Sequence, residues 1–295
     1  MQYRITHTTK FQYADPAPVC SNLVHLAPRH LPWQKVLEFR LLVHPDPKQI
    51  SSRPDYFGNQ VSYFAIAHAH RGVTISAHSH IEVQAIEPPI ASPPWERVVR
   101  EIQAPRPRWN LDTYQYLFPS RHVPLLAELR EYALASFLEG RPIGEAVADL
   151  MHRIHQDFNY DPTATLVHTP LSEAFEKRAG VCQDFAHVGI GCLRALGIPA
   201  RYVSGYLRTN PPPGKPRLVG ADASHAWFAA YCGQELGWVD FDPTNDLLLS
   251  IDHITSGWGR DYDDVCPVQG LVIGGGQHVM SVSVDVEPLE IPAEP

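Results

Sequence analysis

The chain has 295 residues, 24 Lys and Arg against 32 Asp and Glu, a formal net charge of −8, and 44% hydrophobic against 19% charged residues. A chain this long buries a core large enough to fold without disulfides or metal. Its acidic balance argues against a nucleic-acid or anionic-membrane binder, which needs a basic surface. No stretch approaches the roughly 20 apolar residues of a membrane helix, and the N-terminus alternates instead of presenting a charged then apolar leader, so a cytoplasmic protein is expected.

The five cysteines (Cys20, Cys182, Cys192, Cys232, Cys266) are odd in number, scattered, and form no CxxC pair. A disulfide framework and a structural zinc site are poor explanations for them, and no cofactor or metal is expected. The 28 prolines, about twice the average usage, cluster at 88–94, 105–124 and 211–216, which predicts sharp turns.

From the N-terminus, Tyr3, Ile5, His7, Thr9, Phe11 and Tyr13 share one face of an alternating run, the signature of a half-buried strand. Leu37 to Val43, Val61 to Ala67 after the turn residues Gly58 and Asn59, and Val73 to Val83 repeat the pattern. Residues 1–90 therefore read as an antiparallel β domain. His78 and His80 lie on the polar parity of its last strand and are expected in solvent. Residues 91–123 read as a proline-rich connector holding one short helix from Trp95 to Ile102.

Helical spacing takes over at Pro124, where Leu125, Leu129, Tyr132 and Phe137 precede Gly140. Behind Pro142, the residues Val147, Leu150, Met151, Ile154 and Phe158 form a second apolar stripe, with His152 and His155 off it and expected in solvent. A third helix beginning at Thr169 and Pro170 is expected to stop at Gly180. Val181, Phe185, Val188, Cys192 and Leu196 mark a fourth, ended by Gly197. From Ala200 the period returns to two, through 200–208, 225–232, 235–242 and 271–286. Helices followed by an antiparallel sheet make an α+β core over residues 124–250, with 251–295 as a C-terminal β segment.

Cys182 falls at the first turn of the fourth helix, where unpaired backbone N–H groups and the positive end of the helix dipole favour a thiolate over a thiol. Cys192, on the core stripe of the same helix, reads as a small buried apolar residue. A partner for Cys182 lies further on. Two alternating runs flank Gly233 and Gln234, which suits a two-residue type II′ hairpin turn. That turn pairs Cys232 with Glu235 and sets His225 directly opposite Asp242, with Cβ atoms about 5 Å apart. A carboxylate so placed orients an imidazole and leaves its other nitrogen free to deprotonate a nucleophile. Asp240 shares the face but falls opposite Trp227 in this register.

Three blocks resemble the transglutaminase-like superfamily: Gly180-Val-Cys182-Gln-Asp-Phe-Ala, Ala223-Ser-His225-Ala-Trp and Gly237-Trp-Val-Asp-Phe-Asp242-Pro-Thr. The stretch Tyr3 to Tyr13, His25-Leu-Ala-Pro28-Arg and Asp55-Tyr-Phe-Gly-Asn59 are similar to the β-rich N-terminal region of bacterial members, and Gly259-Arg-Asp-Tyr-Asp-Asp-Val265 resembles their C-terminal segment. The resemblance implies a papain-like Cys-His-Asp triad on Cys182, His225 and Asp242.

On that reading Cys182 attacks an amide carbonyl and forms an acyl-thioester, and His225 acts as general base and then general acid. Asp242 fixes the tautomer of His225, and the backbone N–H of Cys182 is one oxyanion donor, with Tyr160 or Asn159 as candidates for a second. The expected partner is a peptide or protein with an amide or isopeptide bond, hydrolysis being favoured over acyl transfer to an amine. An idle binding module is one competing class, and a metalloenzyme built on Cys182, His187 and His225 is another. Asp240, Asp246 and Asp252 form no EF-hand-like loop and read as solvated acids.

Overall fold

Strict alternation builds the first third of the molecule. The structure, a computed structural model, describes residues 1–86, 92–104, 111–209 and 224–289. The proline clusters at 88–94, 105–124 and 211–216, and Ala223, lie partly or wholly outside the described residues. Strands β1 (Gln2–Ala17), β2 (Val19–Val24), β3 (Gln34–His44), β4 (Ile50–Pro54), β5 (Gln60–Ile66) and β6 (His70–Val83) pair antiparallel, as expected. The strands β2 and β4 go beyond the sequence expectation; β4, with Ile50 alone half-buried, is made a strand by its partner β5. His78 and His80 find partners across the β1 and β6 pair instead of only solvent: His78 Nδ1 lies 3.3 Å from Thr6 Oγ1, and His80 Nε2 lies 3.0 Å from Gln2 Oε1.

The helices follow: α1 (Trp95–Gln103), α2 (Leu111–Tyr114), α3 (Ala127–Leu134), α4 (Ile143–Asp157), then the short strand β7 (Asn159–Tyr160), α5 (Leu171–Lys177), the short strand β8 (Ala179–Gly180) and α6 (Cys182–Ala195). Helix α5 ends at Arg178, which takes the left-handed conformation (φ 52°), and not at Gly180. Gly180 lacks a side chain for another reason: a Cβ there would strike the Asp184 carboxylate. Helix α6 is buried on nearly every side, and two of its glycines let neighbours approach. A Cβ on Gly189 would come within 2.5 Å of the Phe228 ring, and one on Gly191 within 2.6 Å of Leu129.

The core sheet takes the order β12-β11-β10-β9-β13, from β9 (Ala200–Leu207), β10 (Ser224–Tyr231), β11 (Trp238–Asp242), β12 (Leu247–Leu248) and β13 (His253–Gly259). The run expected as one strand over 271–286 is a hairpin of β14 (Val268–Ile273) and β15 (His278–Leu289), because Gly274, Gly275 and Gly276 all take positive φ between them. Both strands return to the N-terminal region, where β14 pairs with β2 and β15 with β1. The resulting sheets, β15-β1-β6-β3 and β14-β2-β5-β4, enclose Tyr13, Cys20, Val24, Phe64, Ile66, Val73 and Ile75.

The N-terminal region also closes an edge of the core. Strand β13 is outermost in its sheet, and side-chain amides stand in for the missing neighbour strand. The Gln34 amide accepts from the Thr255 N–H and donates to the Thr255 carbonyl, both at 2.8 Å. Asn59 does the same for Trp258, at 3.0 and 2.9 Å, and Asp55 accepts from its Nδ2. The Trp258 ring lies between the guanidinium carbons of Arg29 (3.6 Å) and Arg201 (3.7 Å). Asn59→Leu should therefore lower stability by about 1–3 kcal/mol for each backbone group of Trp258 left without a partner. Chemical denaturation checks this; an unchanged midpoint would contradict the capping role.

Candidate active site

Cys182 begins α6, as its place in the sequence predicts. The turn before it is fixed by Asp184, whose Oδ2 accepts from the Val181 N–H at 2.8 Å and the Thr165 hydroxyl at 2.6 Å. A carboxylate in a first helical turn meets the positive end of the helix, which suits this position. The parallel pairing of Tyr160 with Gly180 brings a phenol beside Cys182. The Tyr160 phenol is raised by burial and further by the nearby charge of Cys182.

His225 and Asp242 do meet, though not in the expected register. The hairpin is not a two-residue turn: Tyr231 pairs with Trp238, and the Cys232 N–H donates to the Gly237 carbonyl at 2.8 Å, leaving a longer loop over 233–236. Asp240 stands opposite Ala229, and continuing that ladder puts Asp242 opposite Trp227. The shift moves each partner by two residues, and two is the period of a strand, so His225 and Asp242 remain on one face as diagonal neighbours. The imidazole spans the diagonal, with His225 Nε2 2.7 Å from Asp242 Oδ2. Trp227 makes the same diagonal step to Asp240, its indole N–H donating to Oδ1 at 2.9 Å.

Asp242 is 1% exposed, so its charge needs donors from the protein. Its Oδ1 accepts from the backbone N–H groups of Thr244 (3.0 Å) and Asn245 (3.3 Å), and its Oδ2 from the Asn245 side chain (2.8 Å) in addition to His225. His253, fully buried, places Nε2 3.3 Å from the same Oδ2. Burial alone would raise this carboxyl, but the bonds from His225 and His253 and the positive charge of His225 outweigh it and hold Asp242 well below the carboxylate range. For His225, burial works downward, yet the bonds to Asp242 and Cys182 push it up to about 10. With Nε2 engaged by Asp242, Nδ1 is the ring nitrogen left to address the thiol.

His225, Asp242 and His253 present three possible ligand atoms within 4.8 Å of one another. The donor chemistry does not fit a metal. The Ser250 backbone N–H donates to His253 Nδ1 at 3.2 Å, so that nitrogen carries no proton and the neutral ring keeps its proton on Nε2, where a metal would have to bind. His187, the third ligand considered with Cys182 and His225, points elsewhere: it accepts from the Tyr262 N–H at 3.2 Å and stacks on His122 at 5.5 Å. His152 and His155 likewise bind the loop after β11, through Asp246 at 2.7 Å and the Thr244 carbonyl at 3.0 Å, so they are not merely solvated. Asp246 is thus an ion-pair partner, and Asp252 accepts from the Tyr3 hydroxyl at 2.9 Å.

Sequence reasoning missed His253 and Asn245. Asn245 was within reach of it, three residues after Asp242 in a turn-forming Pro-Thr-Asn run; His253 was not, because only the tertiary crossing of β13 brings it to Asp242. Asn159 and Tyr160, the two candidates for a second oxyanion donor, form a short strand just after the α4 end at Asp157.

Helices packed on an antiparallel sheet, with a cysteine at the start of the central helix, form a papain-like fold. Residues 134–243 match the family described as the transglutaminase-like superfamily, and residues 3–82 match the bacterial transglutaminase-like N-terminal region. The chain belongs to the transglutaminase-like superfamily. It is 40% identical over 298 aligned positions to an uncharacterised protein of Mycobacterium tuberculosis, covering 98% of this chain and 93% of that one. It is 33% identical over 159 positions to a protein-glutamine gamma-glutamyltransferase of Pseudomonas aeruginosa, covering 51% of this chain and 22% of that one. A crystal structure from Cytophaga hutchinsonii, presented as a candidate cysteine protease, shares the fold with a TM-score of 0.77 at 23% identity, over 100% of this chain and 93% of that one.

The pair of His225 and Asp242 ties stability to pH. The raised His225 contributes fully below its ordinary value of 6.5, and that share fades as pH rises through about 10. The depressed Asp242 contributes above its ordinary value of 3.8, and that share is lost as pH falls through its folded value. The Tm difference between wild type and His225→Gln should therefore be widest near about pH 5.5 and shrink toward about pH 10. A pH series of thermal melts measures it, and a gap that does not change with pH would contradict the pairing.

Proposed function

We propose that the chain is a thiol-dependent hydrolase of peptide or isopeptide amide bonds, with Cys182 as nucleophile, His225 as general base and acid, and Asp242 as the group that orients His225. The observation that carries this is the short bond from Asp242 to His225 Nε2, with Cys182 acting on the same imidazole from a helix start. The thiolate adds to the amide carbonyl, and the negative oxygen is met by the Cys182 backbone N–H, with the Tyr160 phenol as the second donor. Collapse expels the amine, which takes its proton from His225. Water, deprotonated by His225, then attacks the thioester and releases the carboxylic acid together with the free thiol. An amine attacking the same thioester would give acyl transfer. The five free cysteines suit a reducing, cytoplasmic setting.

The test is site-resolved. The other four thiols are all raised by burial, so iodoacetamide near neutral pH should label Cys182 first. Incubation with glutaminyl and lysine-isopeptide peptides should give an acyl adduct at Cys182, seen by intact mass and absent in Cys182→Ala. Release of free acid supports hydrolysis, and exchange onto an added amine would move the assignment to transfer. With a peptide so identified, Asp242→Asn should lower turnover on the order of 10^3- to 10^4-fold, since an amide cannot stabilise the imidazolium. Asp240→Asn keeps an acceptor for Trp227 and should cost less than about tenfold. Equal losses would show that Asp242 has no special role.

A further inference from the structure

Asp242 is approached by two imidazoles, and only one of them faces Cys182. The other, His253, is the first residue of β13, and each of its ring nitrogens has a defined partner. Nδ1 accepts from the Ser250 backbone N–H at 3.2 Å and lies 3.0 Å from the Ser250 hydroxyl. Nε2 lies 3.3 Å from Asp242 Oδ2, the oxygen that His225 also uses. The Trp227 ring meets His253 edge-on at 5.3 Å and lies 5.9 Å from His225, so the two imidazoles lean on one indole.

We infer that His253 is a positioning residue, locked by Ser250 as the Nε2–H tautomer so that it donates to Asp242 Oδ2 and holds that oxygen where His225 needs it. The inference rests on the reading of Cys182, His225 and Asp242 given above. A backbone N–H cannot be reprotonated away, so it forbids a proton on Nδ1 and leaves Nε2 as the donor whatever the substrate does. A carboxylate excluded from water adopts the rotamer and charge state that its donors allow, and losing one donor favours the neutral acid. Without the His253 donor Asp242 Oδ2 is free to turn away from His225 Nε2, and the imidazole that addresses Cys182 loses its support.

Among the described residues, the ionisable groups facing this cluster are Asp242 and Asp240 on β11, His225 on β10 and Cys182 on α6, with Arg201 on β9 acting on Asp240. Asp252, next to His253 in sequence, turns away to Tyr3 at 2.9 Å and Arg208 at 3.3 Å. The strand that presents His253 is held from outside by Gln34 and Asn59, so the N-terminal region reaches Asp242 through it.

The experiment needs no substrate. In the full-length protein with 15N-labelled histidine, the neutral ring of His253 should show an unprotonated Nδ1 and a protonated Nε2. A proton on Nδ1 would overturn the inference. His253→Phe keeps a buried ring and removes the donor. It should slow iodoacetamide alkylation of Cys182 at about pH 6 by about tenfold or more, while His253→Gln, whose amide N–H reaches the same oxygen, should stay within about threefold of wild type. Wild-type reactivity in His253→Phe, or equal losses in the Phe and Gln variants, would each overturn the positioning role, the second by reducing His253 to packing. If Cys182 of the wild type is not the preferentially labelled thiol, the active-site reading itself fails, a result visible before any variant is made.

Discussion

A carboxylate that water does not reach governs the architecture of this site. Asp242 is almost completely buried, and an ionised group in that position needs several hydrogen bonds or it takes up a proton. The protein supplies them from three directions: His225 from the neighbouring strand, the turn over Thr244 and Asn245 from its own chain, and His253 from the far edge of the sheet. Each donor constrains a separate piece of backbone. The loop after β11 curls back on itself, β13 crosses to the open side, and β10 aligns its first residues with the helix that carries Cys182. A hydrophobic substitution at Asp242 would remove the reason for all three.

The second constraint is an unpaired strand edge. Strand β13 presents N–H and C=O groups that a sixth strand would take, and the N-terminal region provides amide side chains in place of a strand. Gln34 and Asn59 reproduce the donor and acceptor pair of a backbone, which is what an edge requires. The motif residues Arg29, Asp55 and Asn59 thus have a structural explanation: Asp55 accepts from Asn59, Asn59 caps Trp258, and Arg29 stacks on the Trp258 ring. The β-rich region is joined to the core by chemistry aimed at the strand that bears His253. Return of β14 and β15 to β2 and β1 further ties the end of the chain to its beginning.

Burial also separates the thiols. Cys192 and Cys232 lie in the core and are raised by desolvation, Cys232 to about 12. Cys182 alone among the five opens α6. Its helix can stand so close to the sheet because Gly189 leaves room for Phe228, and Gly180 leaves room for the Asp184 carboxylate that fixes the turn. The placement of Cys182 therefore depends on two positions where a side chain is missing.

Periodicity sufficed for much of this. Alternation from Tyr3 to Tyr13 and spacing from Val181 to Leu196 are local properties, and the elements they predict are present because a chain can bury one face only if the pattern matches the period. The face shared by His225 and Asp242 was legible for the same reason: parity survives any register error of two. The register itself was not legible. Gly233 and Gln234 allow a tight turn, but packing around Leu236 and Trp238 decided on a longer loop and turned a direct pair into a diagonal one. Tertiary structure alone decided that His253 reaches Asp242 and that amide side chains cap the β13 edge. His253 and Asn59 lie far apart in sequence and follow no period that relates them to their targets, and only the crossing of β13 between the sheet and the N-terminal region brings each buried polar group to the donor or acceptor that satisfies it.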